Sequence, residues 1–272
     1  MKNINGIKSK PKKRVVEDEM VFDDRTIERV EEKYLITPAE KSRLIKSLEK
    51  HLVRDEFYKE KVVSIYFDTD SNNLAIRSID RPNFRFKVRA RLYNAPKGKS
   101  PVFFEVKSKL AVKKIKIGNK RRLALTQTNF KKFLGGKESL TEIVARAAKG
   151  DFGQLQVARE LEYLINFYEL SPKTLVAVDR TAFSGKNDER FRLTFDENLR
   201  FREKNLRFEK GDSGEKYFPN TADPKRSVIM EVKTMYAMPP WFVAELSREK
   251  IYPTRFSKYG KIYQLIKERN QQ

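Results

Sequence analysis

The sequence predicts an α+β fold in which an antiparallel sheet or barrel carries cations on one face and is covered by helices. Three observations predict it. Several segments alternate apolar and charged residues with period two, the pattern of half-buried strands. Most of these segments follow one another directly, as in a meander, which favours antiparallel pairing over a doubly wound sheet. Separate stretches show helical spacing and helix-capping signals.

Residues 1–25 read as a tail of alternating charge blocks, and residues 26–272 as one domain with no low-complexity linker. The first helix is expected over about Pro38 to Val53. Thr37 is a good N-cap, Pro38 suits the first turn, and Glu40 stands at capping-box distance. Leu44, Leu48 and Leu52 share its inner face, and His51 its surface. Strands follow at Val62 to Thr69, Phe84 to Tyr93 and Val102 to Lys109. Helices are expected at Gln127 to Leu134, stopped by Gly135-Gly136, at Leu140 to Ala148 and at Gln154 to Tyr168. Strands return at Thr174 to Phe183, Arg190 to Phe195 and Val228 to Thr234. Two terminal helices are expected at Pro240 to Lys250, anchored by Trp241, and at Ser257 to Arg269.

The strand at Phe84 to Tyr93 is the most informative. Phe84, Phe86, Val88, Ala90 and Leu92 fall on one face; Arg85, Lys87, Arg89, Arg91 and Tyr93 fall on the other. Like charges ~6 Å apart repel by about 3 kcal/mol at an effective dielectric of 20. Four cations in a row therefore need open water or a bound anion. Glu105, Lys107 and Lys109 share a face in the next strand, as do Glu231 and Lys233 near the end. The segments Phe104-Glu105-Val106-Lys107-Ser108 and Met230-Glu231-Val232-Lys233-Thr234 repeat one pattern, a weak sign of two related halves. Two arrangements fit: an open sheet with its charged face in water, or a barrel enclosing a cationic interior. A barrel of this kind would accept a linear polyanion and exclude a duplex nucleic acid.

The 272 residues carry a formal net charge of +22, with 39% apolar and 35% charged residues. That balance points to a polyanionic partner: nucleic acid, an anionic membrane or phosphate chains. With no Cys and a single His, disulfides, thiol catalysis and Cys-ligated zinc are excluded. Any metal would be held by carboxylates, which favours Mg²⁺ or Mn²⁺. No stretch approaches the ~18 apolar residues of a membrane span, and no secretory signal is legible. The run Pro11-Lys12-Lys13-Arg14 reads as a solvated basic tail in preference to a nuclear signal. Neither a Walker sequence nor a kinase-type glycine loop is present. Phosphoryl transfer between phosphates needs no nucleophilic side chain, only cations, a divalent ion and in-line geometry.

Eight short segments occur in order: Glu31-Glu32-Lys33-Tyr34-Leu35-Ile36, Ser64-Ile65-Tyr66-Phe67-Asp68-Thr69, Lys87-Val88-Arg89-Ala90-Arg91-Leu92-Tyr93, Phe104-Glu105-Val106-Lys107-Ser108-Lys109, Asp179-Arg180-Thr181-Ala182-Phe183, Arg192-Leu193-Thr194-Phe195-Asp196, Ile229-Met230-Glu231-Val232-Lys233-Thr234 and Phe256-Ser257-Lys258-Tyr259-Gly260-Lys261. Together, over about Glu28 to Ile266, they resemble the VTC domain of polyphosphate polymerases, within the triphosphate tunnel metalloenzymes. The resemblance implies an antiparallel β-barrel tunnel with a basic interior, covered by helices. It implies ATP as donor, polyphosphate as product, and Mn²⁺ or Mg²⁺. Carried over by motif, Arg89, Arg91, Lys107, Arg180 and Lys258 would act on the phosphates, with Lys33, Lys120 or Arg121, Lys233 and Ser257 as further contacts. Glu231 would hold the metal, with Glu31 or Glu105 as alternatives. A cytoplasmic domain that binds no nucleic acid is expected; the resemblance implies coupling to a membrane-embedded partner, and a free cytoplasmic enzyme fits the sequence equally well. The alternatives are a tripolyphosphate hydrolase of the same superfamily and a non-catalytic polyphosphate-binding module.

One departure stands out. The hydrolytic and cyclase branches resemble Glu-x-Glu-x-Lys at the first strand, whereas the register here gives Arg29, Glu31 and Lys33. That points away from a thiamine triphosphatase or cyclase. It leaves Glu31 open between a ligand and an exposed strand-end carboxylate. Arg180 has a second reading as an ordinary salt-bridge partner of Asp179 or Asp196, and Lys258 as a surface lysine over aromatics. Tyr66 and Tyr93 read as core or rim aromatics.

Overall fold

A computed structural model describes residues 29–94, 100–112, 115–147, 151–220, 222–235 and 237–271. The tail expected at residues 1–25 lies outside the described residues. One antiparallel sheet of nine strands forms the frame, and seven α-helices are present among the described residues. The strands are β1 (Arg29–Ile36), β2 (Leu52–Asp68), β3 (Phe84–Tyr93), β4 (Val102–Val112), β5 (Ile115–Leu125), β6 (Ser171–Gly185), β7 (Arg192–Arg202), β8 (Glu215–Lys216) and β9 (Val228–Met235). Their spatial order is β1-β9-β7-β6-β2-β3-β4-β5, with the short β8 added to β7.

The sheet is strongly curled. Lys107 on β4 lies 2.9 Å from Glu31 on β1, although five strands stand between them in the ladder. On a flat sheet the two strands would be about 29 Å apart, at 4.8 Å per strand. The expected closed barrel is corrected here: no backbone ladder joins β1 to β5 among the described residues. The seam is bridged by charged side chains instead. Among the described residues the contact across it is the ion pair of Lys107 on β4 with Glu31 on β1, and β5 lies beyond β4 without pairing to β1.

The outer face of the sheet is apolar and is covered in two halves. On β2 to β5, Phe67, Val88, Phe104 and Leu123 pack under α3 (Gln127–Leu134), α4 (Leu140–Ala147) and α5 (Phe152–Phe167). On β1, β9, β7 and β6, Tyr34, Met230, Phe195 and Phe183 pack under α1 (Pro38–Ser47) and α6 (Pro240–Arg248). The inner face holds a third, smaller core at one end. There Tyr66, Val176 and Ile229 meet Tyr259 and Ile262 of α7 (Lys258–Asn270). The C-terminal helix thus sits within the concavity. Gly260 permits its close approach to α2 (Asn73–Asp80): a Cβ there would lie 3.0 Å from Ile79 and 3.3 Å from the Ser257 hydroxyl.

Local signals worked where they were complete. The Thr37 and Glu40 capping box forms, and Gly135 closes α3, with Gly136 at φ +65. The first helix ends at Ser47, earlier than expected, and Leu52 and Val53 open β2. His51 lies in the turn between them and stacks on Trp241 at 4.5 Å. Helix α2 was not foreseen, because its N-terminus has no local side-chain cap. The carboxylate of Asp68 supplies one from a distance, accepting hydrogen bonds from the backbone N–H groups of Leu74 and Ala75 at 2.8 Å each.

Candidate functional site

The polar faces of the strands all turn into the concavity. Pairing sets Lys33 of β1 opposite Glu231 of β9, and Glu31 opposite Lys233. Across the next ladders Thr194 faces Glu231, and Arg180 faces Asp196. On the other wall Tyr66 faces Arg89, which faces Glu105, and Lys87 faces Lys107, which faces Lys120. Period-two alternation therefore places most residues chosen from the sequence on one continuous surface.

Three acidic nodes organise these cations. The first is the pair Glu31 and Glu231. Lys33 lies between them, 3.5 Å from Glu31 and 3.7 Å from Glu231. Lys107 adds a contact of 2.9 Å to Glu31, and Lys233 forms a close ion pair with Glu231. Burial pushes the Glu31 carboxyl up and Glu231 adds to that, but Lys107 and Lys33 outweigh both, and it settles at about 2. Burial likewise raises Glu231, and Lys33, Lys233 and Lys258 overcome it and hold it ionised, well below the usual range. Glu31 is thus a bound interior carboxylate, not a solvent-exposed strand end.

The second node is Glu105, whose carboxylate accepts from Arg89 Nε at 2.7 Å and meets Lys120 at 2.8 Å. The Arg89 Nη1 also donates to the Tyr66 hydroxyl at 3.4 Å. Tyr66 is buried, and its ring stacks on Tyr259 at 4.5 Å. The third node is Asp196, fully buried on β7. It accepts two hydrogen bonds from Arg180, at 2.7 and 2.9 Å, and meets Lys258 at 2.6 Å. Arg180 is therefore a salt-bridge partner of Asp196, and Lys258 is an interior residue, not a surface one.

Some inward cations touch no carboxylate of the described residues, Arg91 and Lys87 among them. Arg91 donates to the Ser64 hydroxyl at 3.2 Å and the Tyr93 hydroxyl at 3.3 Å, with no carboxylate partner among the described residues. Lys87 donates to Ser257 Oγ at 2.9 Å. Burial, reinforced by Lys33, Arg89 and Lys107, drives its ammonium well below the usual lysine range. Ser257 also caps α7, accepting from the Gly260 N–H at 3.2 Å.

Of the two alternatives Lys120 and Arg121, the structure separates them. Lys120 turns inward to Glu105, while Arg121 lies on the opposite face and pairs with Glu160 of α5. Sequence reasoning underrated Tyr66, Lys87 and Asp196. Lys87 shares a face with Arg89 and Arg91 in the alternation of β3, so a signal existed; Tyr66 reaches that surface only through the pairing of β2 with β3. Asp196, just beyond the alternation read at Arg190 to Phe195, entered the sequence reading only as one of two candidate partners of Arg180, and the structure selects it.

Comparison with known proteins places this geometry. The family model described as the VTC domain matches residues 28–267. The chain belongs to the VTC domain family. A similar protein is the vacuolar transporter chaperone complex subunit 4 of Trypanosoma brucei brucei (strain 927/4 GUTat10.1), 24% identical over 225 residues. The match covers 73% of this chain and 27% of that relative, so this VTC domain spans about a quarter of the relative's length. Among solved structures, one described as an adenylate cyclase from Vibrio parahaemolyticus aligns at a TM-score of 0.37 and 11% identity, over 81% of this chain and 83% of the other.

Proposed function

We propose that this VTC domain is a polyphosphate polymerase, transferring the γ-phosphoryl group of ATP to the end of a growing phosphate chain on its concave face. The observation that carries the reading is the Glu31–Lys33–Glu231 cluster, set among inward-facing Arg and Lys and lacking any Cys or His nucleophile. A terminal phosphate oxygen of the chain attacks the γ-phosphorus. The bond from that phosphorus to the ADP oxygen breaks, and ADP leaves with the electron pair. No proton need move, so no general base is required. Arg89, Arg91, Lys107 and Lys258 neutralise the non-bridging oxygens, where charge accumulates.

Mn²⁺ or Mg²⁺ fits the residues present. The donors are hard carboxylate oxygens, and such ions take one or two carboxylates together with phosphate and water oxygens. Glu231, with Glu31, would hold the ion in exchange for lysine contacts that both now make; Glu105 is the most deeply enclosed of the three. No cluster of three or more His, Cys, Asp or Glu occurs among the described residues, so the substrate phosphates would complete the shell. The ion would supply charge neutralisation across the reacting phosphates.

Incubation with ATP and Mn²⁺ tests the reading: a polymer resolved on a polyphosphate gel, with matching ADP, is the expected result. Phosphate release from tripolyphosphate with no polymer would favour the hydrolase. Polyphosphate binding without any turnover would favour a binding module. No helix among the described residues is long and apolar enough to cross a membrane, and the relative named above is a subunit of a complex. We accordingly propose that the domain works on the cytoplasmic side, docked on a membrane-embedded partner that takes up the chain. Cross-linking and membrane fractionation would test that placement.

A further inference from the structure

The inward cations differ in how they are balanced. Those around Glu31, Glu231, Glu105 and Asp196 each touch a carboxylate. At the end of β3 and β4 away from Tyr93, three do not. Arg85 and Lys109 stand directly opposite each other in the ladder, and Lys87 follows on the same face of β3. Among the described residues none of the three has a carboxylate within ion-pair distance. Arg85 donates only to the carbonyl of Pro82, at 2.9 Å, and Lys87 only to the Ser257 hydroxyl. All three are half-buried. Helix α7 fills the concavity beside them, over β2, β6 and β9, so this stretch of β3 and β4 is the wall left next to the open seam.

Carboxylates suit a reacting centre, where they can hold a metal ion. They are a liability where a polyanion must only be held, because each one repels it. We propose that Arg85, Lys87 and Lys109 form a chain-holding subsite, adjoining the carboxylate-bearing centre at Lys107, that takes the non-reacting phosphates of a linear polyphosphate as it leaves along β3 and β4. The proposal rests on the polymerase reading for the identity of the chain. Its physical basis is a run of half-buried positive charge with no counterion of its own. Burial and the neighbouring Lys107 lower the Lys109 ammonium, and a bound phosphate would restore it.

The test is equilibrium binding to the full chain, without ATP, using sodium tripolyphosphate and long-chain sodium polyphosphate at matched ionic strength. For the double variant Arg85→Ala/Lys109→Ala, affinity for the long chain should fall by about tenfold or more, the loss of at least one charge-assisted contact. Tripolyphosphate affinity should stay within about twofold, and the salt dependence of long-chain binding should become shallower. Lys109→Arg, which keeps the charge, should bind the long chain nearly as the wild type does. Equal losses on both ligands would overturn the proposal by assigning these residues to the reacting centre, and no loss on the long chain would show them to be solvated surface. Thermal melts of each variant separate lost binding from lost fold. Selective loss in a protein that makes no polymer from ATP would retain the subsite and sink the polymerase. Polymer synthesis with an unselective variant would do the reverse.

Discussion

The Lys258 ammonium, at the start of the C-terminal helix, lies 2.6 Å from the Asp196 carboxylate on β7. That carboxylate also receives a two-pronged hydrogen bond from Arg180. One buried acid thus ties the helix inside the concavity to the wall and keeps two phosphate-seeking cations in place. Burial pushes its carboxyl up, and Arg180 and Lys258 overcome this and hold it far below the usual carboxylate range.

Replacing Asp196 should therefore damage the fold as well as the site. Asp196→Ala would strand two buried cations, and breaking such a group costs about 3–5 kcal/mol. Urea unfolding should show that loss, and a change under about 1 kcal/mol would mean the node is not structural.

Single removals of the wall cations should divide by partner. From the charge pattern alone, Arg89→Ala, Arg91→Ala and Lys107→Ala are all expected to relieve repulsion in the unliganded protein. In the structure Arg91 alone of the three touches no carboxylate of the described residues, so any such relief is greatest there. Arg89 and Lys107 neutralise Glu105 and Glu31, so their loss leaves buried or half-buried carboxylates exposed to burial costs, at about 1–3 kcal/mol for an unsatisfied group. Arg91→Ala, which acts on Glu105 only from beyond ion-pair distance, should lower the melting temperature less than Arg89→Ala while weakening tripolyphosphate binding. A fall for Arg91→Ala equal to that for Arg89→Ala would contradict this division.

Much of the site was legible because alternation alone decides which side chains share a face. Arg85 to Tyr93 could be read as one polar row, and the structure keeps that row. The ion-pair map was not legible. Lys107 finds Glu31, 76 positions away in sequence, only because the sheet curls, and curl is a sum of strand twists that no short window reports. Likewise β5 was missed since its charged run, Lys120-Arg121-Arg122, reads as a loop until β4 supplies its partner. Helix α2 depends on a cap six residues upstream of its Leu74. The failure to close into a barrel has the same origin: it turns on whether two edges pair, which is a property of neither edge alone.

Acid should weaken the fold through Glu105. Burial favours its protonated form, but Arg89, Arg91 and Lys120 bring its carboxyl from 4.5 down to about 2. A depressed carboxylate contributes stability that is fully present above its ordinary value and drains away as pH falls through the folded one. Urea midpoints should hold steady from neutrality to about pH 5 and then decline toward pH 2. Glu105→Gln should flatten part of that decline, and an unchanged slope would place the acid sensitivity elsewhere.

Alkali should act oppositely through Lys87, and phosphate binding should report it. Its ammonium is depressed by burial first, then by Lys33, Arg89 and Lys107. A lysine lowered in the fold is a penalty while protonated, and that penalty lifts as pH rises through the folded value toward the unfolded value of 10.5. A polyanion beside Lys87 favours the charged form, so binding in mildly alkaline solution should take up protons from the buffer. Calorimetric titration of polyphosphate in two buffers of different ionisation enthalpy measures that uptake directly. It should shrink in Lys87→Met, whose side chain fills similar space without a charge. Uptake identical in the two proteins would show that the bound chain does not reach Lys87, whatever its effect on the rest of the wall.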